Sequence, residues 1–196
     1  MEINKFELNR QLFHVFLGIA IVVLLFYDFV DKNTIVTLII IGLVFSFVCR
    51  SKRIPFISNL LYIFERKKDT EEFPGKGVIF YLIGSYISLL LFPKDVAMAS
   101  ILVLAFGDSI SHLYGLHFGK IKTPLSKTKF IEGTIAGFAF GFIGALVFLP
   151  WHEAFLASLA AMIAEAVEIK IGASQVDDNL IVPFVAGAVV WIVRLV

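Results

Sequence analysis

The sequence predicts an all-α fold, a polytopic membrane bundle of about seven transmembrane helices, and three observations predict it. Hydrophobic residues make up 59% of the 196-residue chain and charged residues only 17%, a balance far more apolar than a soluble domain of that size carries. The mean hydropathy is +0.90. The apolar runs are long and continuous, whereas the strands of a membrane barrel would alternate over about 10 residues, so helices are favoured.

Taken in order, the apolar windows of spanning length fall at 11–30, 33–49, 77–93, 95–117, 131–150, 153–171 and 180–196. The first is too long for the core of a signal peptide and no small-residue cleavage site follows it, so it reads as a span. Between the second and third, 54–64 is apolar and 65–72 is a charge run, the mark of an amphipathic segment lying on the membrane surface. The third and seventh windows are the shortest. Asp31-Lys32, 92–95 and 150–153 are short connections on one side, while the long polar stretches 50–76, 120–129 and 172–179 all lie on the other. No repeat or linker divides the chain, so one domain over 1–196 is expected. The single Cys49 forbids an internal disulfide and a cysteine-rich metal site.

Charge sets the expected orientation. With the amino terminus cytoplasmic, every Lys and Arg except Lys32, Lys94 and Arg194 falls on an inner segment, which the positive-inside rule favours. The carboxyl terminus is then outside, and the polar loops face the cytosol.

The chemistry is concentrated in 105–134. Asp108, Ser111, His112, Gly115 and Gly119 share one helical stripe of the fourth span. An ionisable group inside a bilayer costs roughly 2.5 to 3.5 kcal/mol and reads as functional. A carboxylate backed by hydroxyl and imidazole suits Mg²⁺, while the small residues of the same stripe also suit a helix-packing seam. On the sixth span Ala161, Glu165, Glu168 and Gly172 form a matching stripe. Asp108 lies 14 residues past Lys94 and Glu165 lies 14 past Trp151, so each sits roughly 21 Å from the outer surface and the two acids look into one shared cavity. Glu132 opens the fifth span, as a helix-dipole partner or as a site residue. Asp177-Asp178-Asn179 offers either a helix cap or oxygen ligands for a hard cation. Lys120, Lys122, Lys127 and Lys129 suit a polyphosphate or anionic headgroups. Glu7, Arg10 and His14 share a stripe of the first helix. Phosphate-binding P-loops, protein-kinase loops, nucleophile elbows and H-E-x-x-H are all missing, so any nucleotide is handled without a soluble nucleotide-binding fold.

Gly107-Asp108 with Gly115 and Gly119, then K-F-I-E-G-T at 129–134, Glu165-Ala166 and D-N-L-I-V-P at 178–183 together resemble the polyprenol kinase family. That family includes dolichol kinase, phytol kinase and the CTP-dependent diacylglycerol kinases, and is more distantly similar to phosphatidate cytidylyltransferases. Glu7, Arg10 and His14 resemble its amino-terminal E-x-x-R-x-x-x-H element, and the likeness runs in order along nearly the whole chain. Phe130 stands where the family often has Ser or Thr after the lysine, with Lys127-Thr128 a second alignment of that pair. His112 replaces a residue that is often small.

The resemblance implies transfer of the γ-phosphoryl of CTP, with Mg²⁺, to the hydroxyl of a long-chain alcohol of polyprenol or dolichol type at the cytoplasmic face. Asp108, Glu165 and Asp178 would then hold the metal with Asn179 in support. Lys129, with Lys120 and Lys127, would bind phosphate. Glu132, His112 and Asp108 are the rival catalytic bases. The implied partners are the nucleoside triphosphate, the lipid alcohol and membrane lipids, with no nucleic acid. The alternatives are CDP-lipid synthesis from a lipid phosphate and a small ion-coupled transporter.

Overall fold

Helix boundaries fall where the chain supplies caps and breaks. Asp31 accepts the Thr34 N–H at 2.8 Å and starts the second helix; Pro93 and Pro150 each precede a first helical turn. The computed structural model describes residues 5–51, 63–124, 126, 128–171 and 174–195. Among these the order is α1 (Lys5–Phe26), α2 (Lys32–Ser51), α3 (Lys67–Glu72), α4 (Lys76–Leu91), α5 (Lys94–Leu102), a π-helical turn (Val103–Asp108), α6 (Ser109–Phe118), α7 (Ile131–Ala145), α8 (Trp151–Glu165), a two-residue hairpin of β1 (Lys170–Ile171) and β2 (Ser174–Gln175), and α9 (Asp178–Leu195). The amphipathic segment expected from 54 onward falls mostly at 52–62, outside the described residues.

Lys5–Phe26, Lys32–Arg50, Lys94–Phe118 and Asp178–Leu195 are long and apolar enough to cross a membrane, and Lys76–Leu91 and Ile131–Ala145 are shorter apolar helices. The chain is a multi-pass membrane protein built as an all-α bundle. Its outer surface is apolar, as lipid contact requires: α2 exposes Ile40, Val44 and Phe47. Tyr27, Phe29 and Trp151 are exposed at the end opposite the basic loops, the level at which aromatic side chains meet headgroups.

The run Lys94–Phe118 is the axis of the bundle. Val96, Ile101, Val103, Leu104 and Ala105 are fully buried, and α1, α7, α8 and α9 all pack on this run. Close approach to α7 rests on glycine. A Cβ at Gly137 would meet Met162 Sδ at 2.7 Å and Ser111 Cβ at 2.8 Å, and one at Gly133 would overlap the Ser111 carbonyl. At the outer end Arg194 on α9 bonds Glu153 at 2.8 Å and Asp95 at 2.7 Å, clasping α5, α8 and α9.

Two elements differ from the sequence reading. The fourth span is not a uniform α-helix, because the π turn adds a residue per turn just before the stripe that begins at Asp108. The sixth span ends at Glu165 rather than 171. The backbone leaves Ala166 to pair Lys170 with Gln175, so Glu168 lies off the helix and the stripe does not continue through it.

Candidate functional site

Three carboxylates from three places in the chain meet. Asp108 ends the π turn, Glu165 ends α8 and Asp178 begins α9, and one oxygen of each lies within 4.8 Å of the others. Glu165 is only 3% exposed. Acids at this spacing repel one another, and Lys129 answers them. Its Nζ lies 3.1 Å from Glu165 Oε1 and 2.9 Å from Asp178 Oδ2, and it also donates to the Glu165 backbone carbonyl. Burial alone would draw the Lys129 ammonium down, but the Glu165 and Asp178 carboxylates outweigh it and hold the group above the ordinary lysine value. Ser111 Oγ donates to Glu165 Oε2 at 3.3 Å.

The donor set suits a hard divalent cation. Mg²⁺ takes octahedral oxygen ligands at about 2.0–2.1 Å, which puts opposite oxygens roughly 4 Å apart. The 4.8 Å spread of the three carboxylates reaches that with a small inward movement. Asn179 Oδ1, a buried oxygen with no hydrogen-bond partner among the described residues, belongs to the same cavity wall.

Local structure explains why these side chains point inward. Asp177 Oδ1 accepts the Asn179 N–H at 3.1 Å, so Asp177 serves the start of α9 while the next residue, Asp178, turns to Lys129. Burial pushes the Asp177 carboxyl up, against the pull of that N–H and of Lys76. Gly84 lets α4 press on this corner, because any Cβ there would overlap the Asn179 carbonyl. The loop before α7 is shaped by Glu132, which accepts the N–H groups of Lys120 at 3.1 Å and Ile121 at 3.2 Å. Lys122 bridges to Phe130, and Glu168 accepts from Ser126 at 2.6 Å and Thr128 at 3.1 Å. These ties aim Lys129 at the acids.

The other sequence candidates separate. Lys120 is exposed and Glu132 is engaged with loop backbone; neither belongs to the cavity wall. Lys127 lies outside the described residues. A Cβ at Gly115 or Gly119 would meet Phe130, so both serve the packing beside α7, and Gly115 also lines the cavity. His112 lines the cavity, but its Nε2 bonds Glu7 Oε2 at 3.2 Å. Glu7 also pairs with Arg10 at 2.9 Å and Arg66 at 3.4 Å, fixing two guanidinium groups beside the cavity.

The cavity measures about 780 Å³ and holds Asp108, Glu165 and Asp178 together with Arg10, Arg66, Lys76 and Lys129. Acidic and basic groups in one cavity suit a metal-bound polyphosphate. Arg66 and Lys76 were not singled out from the sequence because 50–76 reads as an amphipathic segment lying on the membrane surface. Its corner is built by Glu65, which accepts the Gly75 N–H at 2.8 Å and the Gly77 N–H at 3.3 Å. Gly75 supplies the left-handed φ of 81° that the corner needs. Burial pushes the Glu65 carboxyl up, with those N–H groups opposing.

No family model and no solved structure matches the chain. Among curated proteins it is 34% identical over 191 residues to an uncharacterized protein of Methanocaldococcus jannaschii, covering 94% of this chain and 92% of that one. It is 27% identical over 143 residues to CTP-dependent diacylglycerol kinase 1 of Schizosaccharomyces pombe, covering 64% of each. With phytol kinase 1, chloroplastic, of Arabidopsis thaliana it shares 28% identity over 122 residues, 55% of this chain and 40% of that protein. The chain thus spans less than two thirds of the length of either kinase it matches.

Proposed function

The chain belongs to the polyprenol kinase family, and from that premise we propose that it transfers the γ-phosphoryl group of CTP to the hydroxyl of a lipid alcohol held in the membrane. The observation that carries this reading is the meeting of Asp108, Glu165 and Asp178 within 4.8 Å in a cavity whose wall also bears Arg10, Arg66, Lys76 and Lys129. The CTP-dependent diacylglycerol kinase and the phytol kinase among the relatives support both the donor and the class of acceptor. Within that class we propose a long-chain alcohol of polyprenol or dolichol type.

Phosphoryl transfer asks a protein mainly for alignment and for neutralised charge. Asp108, Glu165, Asp178 and Asn179 would hold Mg²⁺, which when bound supplies charge neutralisation at the phosphate oxygens. Lys129 stands where it can shift from the acids to a phosphate oxygen, while Glu7 keeps Arg10 and Arg66 aimed at the nucleotide side. The alcohol oxygen forms its bond to the γ-phosphorus as the bond from that phosphorus to the β–γ bridging oxygen breaks. CDP leaves, and the hydroxyl proton passes to Asp108, the carboxylate of the three that Lys129 does not pair with. Glu132 acts on the loop and not on substrate. The single domain 1–196 presents this cavity to the cytosol, with the amino terminus inside.

The test is purified protein with CTP labelled at the α or the γ phosphate and a panel of lipid alcohols. Movement of γ label alone to lipid, with CDP released, is expected. Movement of α label with release of pyrophosphate would replace the kinase by a CDP-lipid synthase.

A further inference from the structure

The cavity continues past the acids into a region that phosphate chemistry does not use. Besides Asn179 Oδ1, three polar atoms of the cavity wall are buried with no hydrogen-bond partner among the described residues: Gln11 Oε1, His14 Nε2 and Tyr81 Oη. Gln11 is 2% exposed and Tyr81 is fully buried. The His14 ring meets the edge of Tyr81 at 4.6 Å, and its Nε2 lies 3.6 Å from Asp108 Oδ2, which is beyond hydrogen-bond reach. Gly18, one turn on, has no side chain to displace the Tyr81 hydroxyl. Buried polar atoms are normally satisfied, and orphans gathered at one wall mark a partner that arrives from outside.

An apolar slot adjoins these atoms. Gly42, Phe45, Ser46 and Cys49 put one face of α2 on the cavity, opposite Phe13 and Leu17 of α1. The two helices are braced by different neighbours: α2 packs on α4, while α1 packs on α5, the π turn and α6. Both otherwise face lipid, so a chain lying between them passes from the bilayer to the acids without crossing water.

We propose that Gln11, His14 and Tyr81 form the seat of the acceptor hydroxyl, with the hydrocarbon tail leaving between α1 and α2. This deepens the lipid-kinase reading and rests on it. One hydroxyl both donates and accepts, which matches a carbonyl oxygen, an imidazole and a phenol around it, and brings its oxygen beside Asp108.

Cys49, the only cysteine in the chain, reports on the slot without turnover. In nanodiscs, geranylgeraniol should slow alkylation of Cys49 by N-ethylmaleimide, and phytane, a hydrocarbon without a hydroxyl, should need roughly tenfold more for equal protection. Tyr81→Phe and Gln11→Leu should each close most of that gap and raise KM for the alcohol roughly tenfold, with KM for CTP unchanged. Equal protection by alcohol and hydrocarbon in the unaltered protein overturns the hydroxyl seat, even where CTP turnover is intact. Selective protection without any phosphoryl transfer from CTP sustains the seat and removes the kinase reading. The comparison in the unaltered protein holds even where a variant fails to fold.

Discussion

Individual residues carry distinct parts of the site, and each part has its own measurement. Asp108→Asn removes a proposed cation ligand and the proposed base in one step, so CTP turnover should fall by roughly 10²-fold or more while the protein still inserts; retained turnover would end the metal-site proposal. Lys129→Met leaves Glu165 and Asp178 without their shared ammonium, and both turnover and thermal stability should drop. Glu65 answers to pH. Burial raises its folded-state value, so its favourable contribution is present below the unfolded carboxyl value of about 4.3 and is lost as pH rises through the folded one. Glu65→Gln should therefore match the unaltered protein in melting temperature near about pH 4 and exceed it near about pH 7; the opposite order would show that the Gly75 and Gly77 N–H groups dominate. At this scale the sequence was most readable where polarity was out of place. Asp108 and Glu165 stand out in apolar windows because their burial has no bland explanation. Tyr81 and Gln11 do not, since a phenol or an amide among apolar residues passes as ordinary core, and only the finished wall shows that the phenol oxygen and the amide oxygen have no hydrogen-bond partner among the described residues.

The helices were legible as lengths of apolar sequence, and their breaks were not. Nothing in V-L-A-F-G-D at 103–108 announces a π turn. Deleting Ile101 from α5, where the helix is plain α, should swing Asp108 by about 100° relative to the start of that helix. Divalent-ion binding, read with Mn²⁺, should be lost together with turnover. The end of α8 at Glu165 was likewise hidden, because 166–171 is apolar enough to extend a helix and leaves it only to make the small hairpin. The α6–α7 seam is the converse case. Its glycines were readable as close packing, and Gly137→Ala, pressing on Met162 and Ser111, should lower stability by about 1–3 kcal/mol as read by thermal unfolding in detergent.

For the molecule as a whole, composition foretold a membrane bundle, and charge gives the expected orientation. The meeting of three distant carboxylates was foreshadowed by the equal depths of Asp108 and Glu165 and, for Asp178, by the family resemblance of D-N-L-I-V-P at 178–183. Topology is checked by fusing a reporter to each end: activity inside the cell at the amino terminus and outside at the carboxyl terminus is expected, and the reverse would place the cavity on the wrong side for CTP. The Arg194 clasp belongs to this scale as well. Arg194→Gln should lower stability by about 1–3 kcal/mol, because Glu153 is left buried without its cation, and turnover at low temperature should be unchanged.

Asp178 opens α9, whereas Asp108 and Glu165 lie earlier in the chain. Synthesis from the amino end therefore makes two of the three acids well before the third. The cluster is complete only once residue 178 has been added, so a polypeptide that stops short of it lacks one of the proposed cation ligands.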